Sequence, residues 1–499
     1  MSRRDRVFTL LVTGTAILAP LPYGSIGPKA VVIALAALAI ALLLAPPRMV
    51  DWSRMRLAAP ALTLMAAYSL IALLQSTPGA LPAAEIWSAA AALLGEPGVP
   101  SFSVDADRTR FAIGYALLLA LALAGGLGLA QIAGGSRRLL EALGLAGLVY
   151  ALLGLVMQLA VPGYVLFTPK RTHLANLTGT FFNRNTEAAF LGFILMIHLA
   201  LIGAWIRAEL PFRPNLLRDA ARFRAGGPLT LRLLAVVPIL TALMMTGSRA
   251  GILTSLTTAA SATVVMAIRL PGRGRRLRAR RARRIAALAV VPLGLILAIG
   301  GAGLEARIRD EGLTDTERYL TYAGSVDLIV ERWLAGHGAG TFELIFPAKR
   351  RAESSMLGIW NKAHSTLIEI AVEVGVPFAL CVLAAFAAAV GQLARAAWRE
   401  PSRPILLVGA VALVQSGLHS LVDYPLQIPG FALPVAVVVG AALGAAARVR
   451  REDRVGSSAG ADMRGASAGQ GAAAMPPGFS RTRLVLHFFL RCSKMRRVE

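Results

Sequence analysis

The chain has 499 residues, 56% of them hydrophobic and 16% charged, with a mean hydropathy of +0.63. That balance excludes an ordinary soluble globular protein, whose surface takes about a quarter of its residues as charges, and makes the chain a polytopic membrane protein. Its formal charge of +25 comes mostly from arginines between apolar segments, where they orient a chain against an anionic membrane surface rather than bind nucleic acid.

Apolar runs bounded by charge or by Pro and Gly are read at 7–22, 29–46, 58–75, 111–131, 139–160, 186–206, 231–246, 250–268, 285–303, 365–390, 404–422 and 429–447. They predict an all-α integral membrane protein with about 12 transmembrane helices. The first run follows Arg3, Arg4 and Arg6 and has no small-residue cleavage site after it, so it reads as a retained span. With that end inside, 37 of the 52 Lys and Arg residues fall in inside segments, nine of them in the run 269–284. Both termini are then cytoplasmic, and one long outer loop occupies 304–364. The chain divides into helices 1–9 (1–303), the partly helical outer loop (304–364), helices 10–12 (365–447) and a basic, largely disordered cytoplasmic tail (448–499). Cys381 lies in an apolar run and Cys492 in that tail, which gives neither a disulfide framework nor a metal knuckle.

Polar residues at membrane depth are costly, and here they gather at the predicted outer boundary. In "TGTFFNRNTEAAF" (178–190), Asn183, Arg184, Asn185 and Glu187 stand at the start of the sixth span. Capping and the helix dipole account for Asn185, Thr186 and Glu187 but not for Arg184, which opposes the dipole. In "MMTGSRAGIL" (244–253), Arg249 sits in a turn between two spans. It fits either an interfacial arginine snorkelling to headgroups or a planar fork gripping an anionic oxygen pair.

The outer loop carries "TERYLTYAGSVDLIVERWLAGHGAGTF" (316–342). Its spacing predicts a helix with Tyr319, Tyr322, Val326, Ile329 and Trp333 on one face, lying on the membrane or over a cavity, and ended by glycines. Arg318 begins this helix, either as a solvated charge or reaching the same anion as Arg249. His337, between two glycines, reads as a turn residue. The "DTE" triplet at 315–317 is too sparse for a hard cation, and no metal is expected. At the mouth of the tenth span, "NKAHSTLIEIAVEVGVP" (361–377) presents His364. An imidazole titrating near ~6.5 can accept a proton from a hydroxyl, although a lone interfacial histidine is as readily structural. Glu369 lies about 140° round the helix, so an acid partner has to come from elsewhere. Asp423 in "LHSLVDYPLQIPG" (418–430) is one candidate, against simple helix-end turn chemistry with Pro425.

Four pieces, "GTFFNRNTEAAFL", "TGSRAGIL", "RWLAGHGAGTF" and "AHSTLIEIAVEVGV", with the closing "HSLVDYPLQIPGFALP", give the region from 178 to 437 its order. In that order the chain resembles the O-antigen ligase and polymerase superfamily of polytopic bacterial glycosyltransferases. The resemblance implies a GT-C-like membrane enzyme of the inner membrane with its active site facing the periplasm. It would move a glycan from a polyprenyl-diphosphate carrier to lipid A-core or to a growing O-antigen or exopolysaccharide chain, without metal or other cofactor. Carried over residue by residue, it implies that Arg249 and Arg318 hold the diphosphate and that His364 acts on the acceptor hydroxyl. Asn183, Arg184 and Asn185 would line the site. The family often has His-Asn and a nearby Tyr where this chain has His364, Ser365 and Leu367, and a second glycine where it has Pro377. A secondary transporter or lipid-linked glycan flippase is the rival reading, but its coupling charges would lie deep in the bilayer, and the midpoints of these spans are nearly free of charge.

Overall fold

The computed structural model describes residues 1–45, 55–96, 98–209, 227–270, 316–354 and 360–469. Its α-helices are α1 (Arg3–Leu18), α2 (Pro28–Leu44), α3 (Ala59–Ser76), α4 (Ile86–Leu94), α5 (Ala106–Leu129), α6 (Gly135–Ala160), α7 (Arg184–Glu209), α8 (Pro228–Met245), α9 (Arg249–Ile268), α10 (Thr316–Glu331), α11 (Phe342–Ile345), α12 (Thr366–Val374), α13 (Val376–Arg399), α14 (Pro404–Ser420) and α15 (Pro429–Gly469). Seven of them are long and apolar enough to cross a membrane, and α2, α14 and residues 229–245 of α8 are shorter apolar helices. The chain is a multi-pass, all-α membrane protein. Among the described residues the sheet content is one hairpin, Tyr164–Val165 against Thr168–Pro169. The described residues up to Val449 form one compact unit.

Each predicted apolar run except the ninth falls on a helix. The ninth run (285–303), most of the basic run 269–284, the start of the outer loop with Asp315, and the tail beyond 469 lie outside the described residues. The tenth span differs from its predicted 365–390. It is split at Gly375 into a short helix α12 and a membrane-length helix α13, because Gly375 has φ +100° and its chain neighbour Val376 donates its N–H to Trp333 O (2.7 Å). A Cβ on Gly375 would come within 2.3 Å of Leu334 O. That contact explains the glycine: only a residue without a side chain lets the two backbones meet. The junction welds the end of the α10 segment to the start of α13, and His337 N–H bonds Val372 O (3.0 Å) beside it.

The bundle is centred on α7, which is buried from Asn185 to Ile202 apart from Leu199, and on the apolar part of α15. Phe193 of α7 meets Phe431 of α15 edge to face. Small residues allow close crossings, as where a Cβ on Gly126 of α5 would lie 2.0 Å from Val437 O of α15. Polar contacts then fix the register of three helices. Gln415 of α14 donates to Ala189 O of α7 (3.0 Å) and to Ser255 Oγ of α9 (3.0 Å). These are the helices whose ends at one side of the bundle carry Asn185, Arg249 and Asp423.

The amphipathic helix predicted within 316–342 forms as α10, and its aromatic stripe divides. Tyr319 and Val326, and Trp333 just past the helix end, are exposed, while Tyr322 reaches the carbonyl of His364 and Ile329 packs beside Leu328. On the packed face Gly324 approaches Lys349 O so closely that a Cβ would sit at 2.6 Å. His337 is a turn residue, with Nε2 bonded to Leu328 O (2.9 Å).

Candidate functional site

Asp423 is the centre of the site. It follows the end of α14 and is 1% exposed, so its charge needs partners. Oδ1 accepts the N–H of Tyr424 (2.8 Å). Oδ2 accepts from Asn185 Nδ2 and from Arg318 Nη2 (3.3 Å), while Arg318 Nη1 donates to Val422 O (2.7 Å). His364 Nδ1 stands 3.9 Å from Asp423 Oδ1, beyond hydrogen-bonding distance but within reach of a charge pair once the ring is protonated. Arg318 and His364 keep side-chain exposures of 22% and 23%, so the cluster opens toward solvent on their side.

Each side chain is delivered by an element with a reason to end there. Asn183 caps α7, its Oδ1 accepting from Asn185 N–H (2.7 Å), which aims Asn185 from the first turn toward Asp423. Asn183 Nδ2 donates to Tyr424 OH (2.8 Å), and burial followed by the charge of Asp423 pushes that hydroxyl's pKa up. The His364 ring lies between Trp360 and Tyr424, edge-on to each at centroid distances of 5.5 and 5.2 Å.

Of the residues singled out in the sequence, the structure brings Asn185, Arg318 and His364 onto Asp423, and Asn183 onto its neighbour. Arg184 goes elsewhere: Nη1 donates to Asn176 Oδ1 (2.8 Å), whose carbonyl also receives Lys170 Nζ (2.9 Å). Arg184 thus ties α7 to the loop after the hairpin, which accounts for a cation at a helix start. Arg249 is the first residue of α9, whose cap Ser248 accepts from Gly251 N–H (3.2 Å). Gly251 faces His419 and Ala188, with a Cβ there coming 3.2 Å from His419 Cε1. This places Arg249 at the turn adjoining α7 and α14. Glu369 does not serve His364's ring; it accepts from Lys362 Nζ (2.8 Å) and from Ala363 N–H (2.9 Å).

Sequence reasoning passed over Tyr322, Trp360, Lys362, Glu373, Tyr424 and Gln75. The signal for the acids was present: Glu369 and Glu373, four residues apart on an otherwise apolar helix, needed partners. No group of three or more His, Cys, Asp or Glu able to hold a metal occurs among the described residues.

Residues 234–383 match the family model described as O-antigen ligase (Wzy_C). That stretch of the chain is similar to the O-antigen ligase family. The matched stretch runs from within α8 into α13 and contains Arg249, Arg318 and His364, while Asn185 and Asp423, contributed by α7 and the end of α14, fall outside it. No curated protein matches the chain. The match supports a membrane glycan ligase or polymerase in general terms, and the buried carboxylate of the cluster comes from sequence beyond the matched stretch.

Proposed function

We propose that the protein is a bacterial inner-membrane glycosyltransferase. It moves a glycan from a polyprenyl-diphosphate carrier to a hydroxyl of lipid A-core or of another glycan chain, at the periplasmic face. The observation that carries this reading is the placement of His364 Nδ1 3.9 Å from Asp423 Oδ1 within a cluster that also holds Arg318.

With Nδ1 turned to Asp423, the other ring nitrogen is the one that meets an acceptor. It takes the hydroxyl proton as the acceptor oxygen attacks the anomeric carbon. Asp423 stabilises the imidazolium so formed. The bond from that carbon to the diphosphate oxygen breaks and its electron pair leaves with the lipid diphosphate, whose developing charge is met by Arg249 and by the donors of Arg318 not spent on Asp423 and Val422. Asn183 and Asn185 hold the acceptor side of the cluster, and Arg184 shapes it through the 170–176 loop. Attack opposite the leaving group inverts the anomeric centre.

The test is a deletion strain complemented with wild type, Arg249→Ala or His364→Ala, followed by glycan analysis. Both variants should lose all but a small residual rate of product formation. Single repeat units still attached to lipid A-core would identify a polymerase, and lipid-linked polymer that never reaches the core would identify a ligase. Full product from both variants refutes the assignment, and retention of configuration in the product linkage, read by NMR, refutes the direct displacement.

A further inference from the structure

His364 is held in a backbone conformation that its residue type disfavours. Its φ is +53°, in the left-handed region that costs a side-chain-bearing residue of order 1 kcal/mol or more and persists only where the surroundings over-determine it. The surroundings do so from both sides of the residue. On the N-terminal side, Ala363 N–H is bonded to Glu369 Oε2 (2.9 Å), and the other oxygen of that carboxylate binds Lys362 Nζ (2.8 Å). On the C-terminal side, the carbonyl of His364 accepts from Tyr322 OH (2.8 Å).

We infer that Tyr322 and Glu369 are positioning residues that clamp the backbone on either side of His364 and so aim its ring at Asp423; this rests on His364 being the base proposed above. The clamp is built from groups that have little freedom. Glu369 is 3% exposed and Ala363 fully buried. Burial pulls the Lys362 ammonium pKa down, but the charges of Glu369 and Glu373 outweigh it and hold the ammonium charged.

The clamp is also hung from the bundle. Glu373, one turn after Glu369 on α12, accepts from Phe342 N–H (3.1 Å). The Glu373 carbonyl accepts from Gly338 N–H (3.0 Å) and from Gln75 Nε2 (3.0 Å), and Gln75 belongs to the membrane helix α3. Tyr322, on α10, comes from the opposite side of the loop. A glycine at 364 would satisfy this backbone at less cost. The arrangement instead commits the buried Glu369 and the half-buried Tyr322 to keeping an imidazole there, which is what a preformed base requires.

The test uses full-length variants in membranes of the complemented deletion strain, which retain the native lipid-linked donor. It reads the initial rate of glycan transfer, the rate at which diethyl pyrocarbonate modifies His364 by peptide mass, and the thermal midpoint. Tyr322→Phe and Glu369→Gln should each slow transfer about 10- to 100-fold. Each should change the modification rate of His364 while the midpoint of Tyr322→Phe stays within a few degrees of wild type, and Glu369→Asp should recover part of the loss. In a His364→Ala background, adding either substitution should leave the residual rate unchanged within about twofold, because groups acting through one residue are not additive with its loss.

Wild-type transfer and wild-type modification in both variants would overturn the inference, as would a further tenfold loss in the His364→Ala background. If Glu369→Gln does not accumulate, Tyr322→Phe decides, since it keeps the ring and removes one hydroxyl. Wild-type transfer by His364→Ala alone would instead sink the proposed base, a result separate from either of these.

Discussion

Replacing Asp423 by Asn keeps the shape of the buried cluster and removes its charge. The single amide oxygen of the Asp423→Asn variant can replace one carboxylate oxygen only, keeping either the Tyr424 N–H contact or those from Arg318 and Asn185, and it no longer balances two cations. At 3.9 Å from His364, a unit charge interacts with a protonated ring by about 4 kcal/mol at an effective dielectric near 20. In the transition state the proton is part-way across, so roughly half of that, about 2 kcal/mol, is the smaller bound. At about 1.4 kcal/mol per tenfold, transfer should slow between about 30-fold and about 1000-fold. The assay is initial transfer in membranes of the complemented strain, at matched protein level and with the thermal midpoint measured in detergent. A folded Asp423→Asn protein within about threefold of wild type would refute the charge argument. A protein that does not accumulate would leave Asp423→Glu to decide, which keeps the charge and should retain more activity than Asp423→Asn.

Three further outcomes follow from the same geometry. Asn185→Asp sets a second carboxylate against Asp423 where Asn185 now donates, so it should reduce glycan output at least tenfold more than Asn185→Ala, read on gels of the product ladder. Burial, then the charge of Glu369, raises the pKa of Glu373 from 4.5 to about 7. The folded state therefore binds the proton more tightly than the unfolded one, so this group's contribution to stability is full below about pH 4.5 and is lost as pH rises through about 7. Glu373→Gln, which keeps the acceptor for Phe342 N–H, should flatten that slope in detergent melts between pH 5 and 8. Gly375→Ala should cost about 3 kcal/mol or more, seen as a fall in folded yield and midpoint, because φ +100° and a Cβ 2.3 Å from Leu334 O both oppose it; Gly391→Ala, where nothing lies within 4 Å, should be neutral or mildly stabilising.

The membrane class and the placement of the described helices were legible because a bilayer imposes length and apolarity on each crossing, and such a signal survives without tertiary information. The interruption at Gly375 was not, since the feature that demands it, the carbonyl of Leu334, lies some 40 residues away in sequence and is brought near only by folding. The division of the stripe on α10, with Tyr322 turned to His364 and Tyr319 exposed, was hidden for a related reason: periodicity identifies the faces of a helix but not which neighbour each residue meets. Asp423 and Asn185 stood out as polar groups at a boundary where polarity is costly, whereas their joint service to one carboxylate needed the register set by Gln415. Glu369 was read by helical angle alone, which correctly removed it from the imidazole but gave no view of the backbone N–H of Ala363 that it holds.

The charge inventory of the cluster suits a reaction that separates charge. With His364 neutral, Arg318 and Asp423 cancel, and the buried carboxylate is tolerated because Arg318 and Asn185 already satisfy one oxygen. In the proposed reaction, proton uptake from an acceptor hydroxyl would add one positive charge at His364 just as the departing lipid diphosphate gained one negative charge on the other side of the sugar. The two changes compensate across a short distance in a partly desolvated site, where the interaction is stronger than in water. An arginine in place of His364 would carry its charge from the start and would have no proton to take. A carboxylate there would add a second negative charge beside Asp423. Among ionisable side chains, an imidazole is the one that can be neutral in the resting cluster and cationic at the moment the diphosphate leaves.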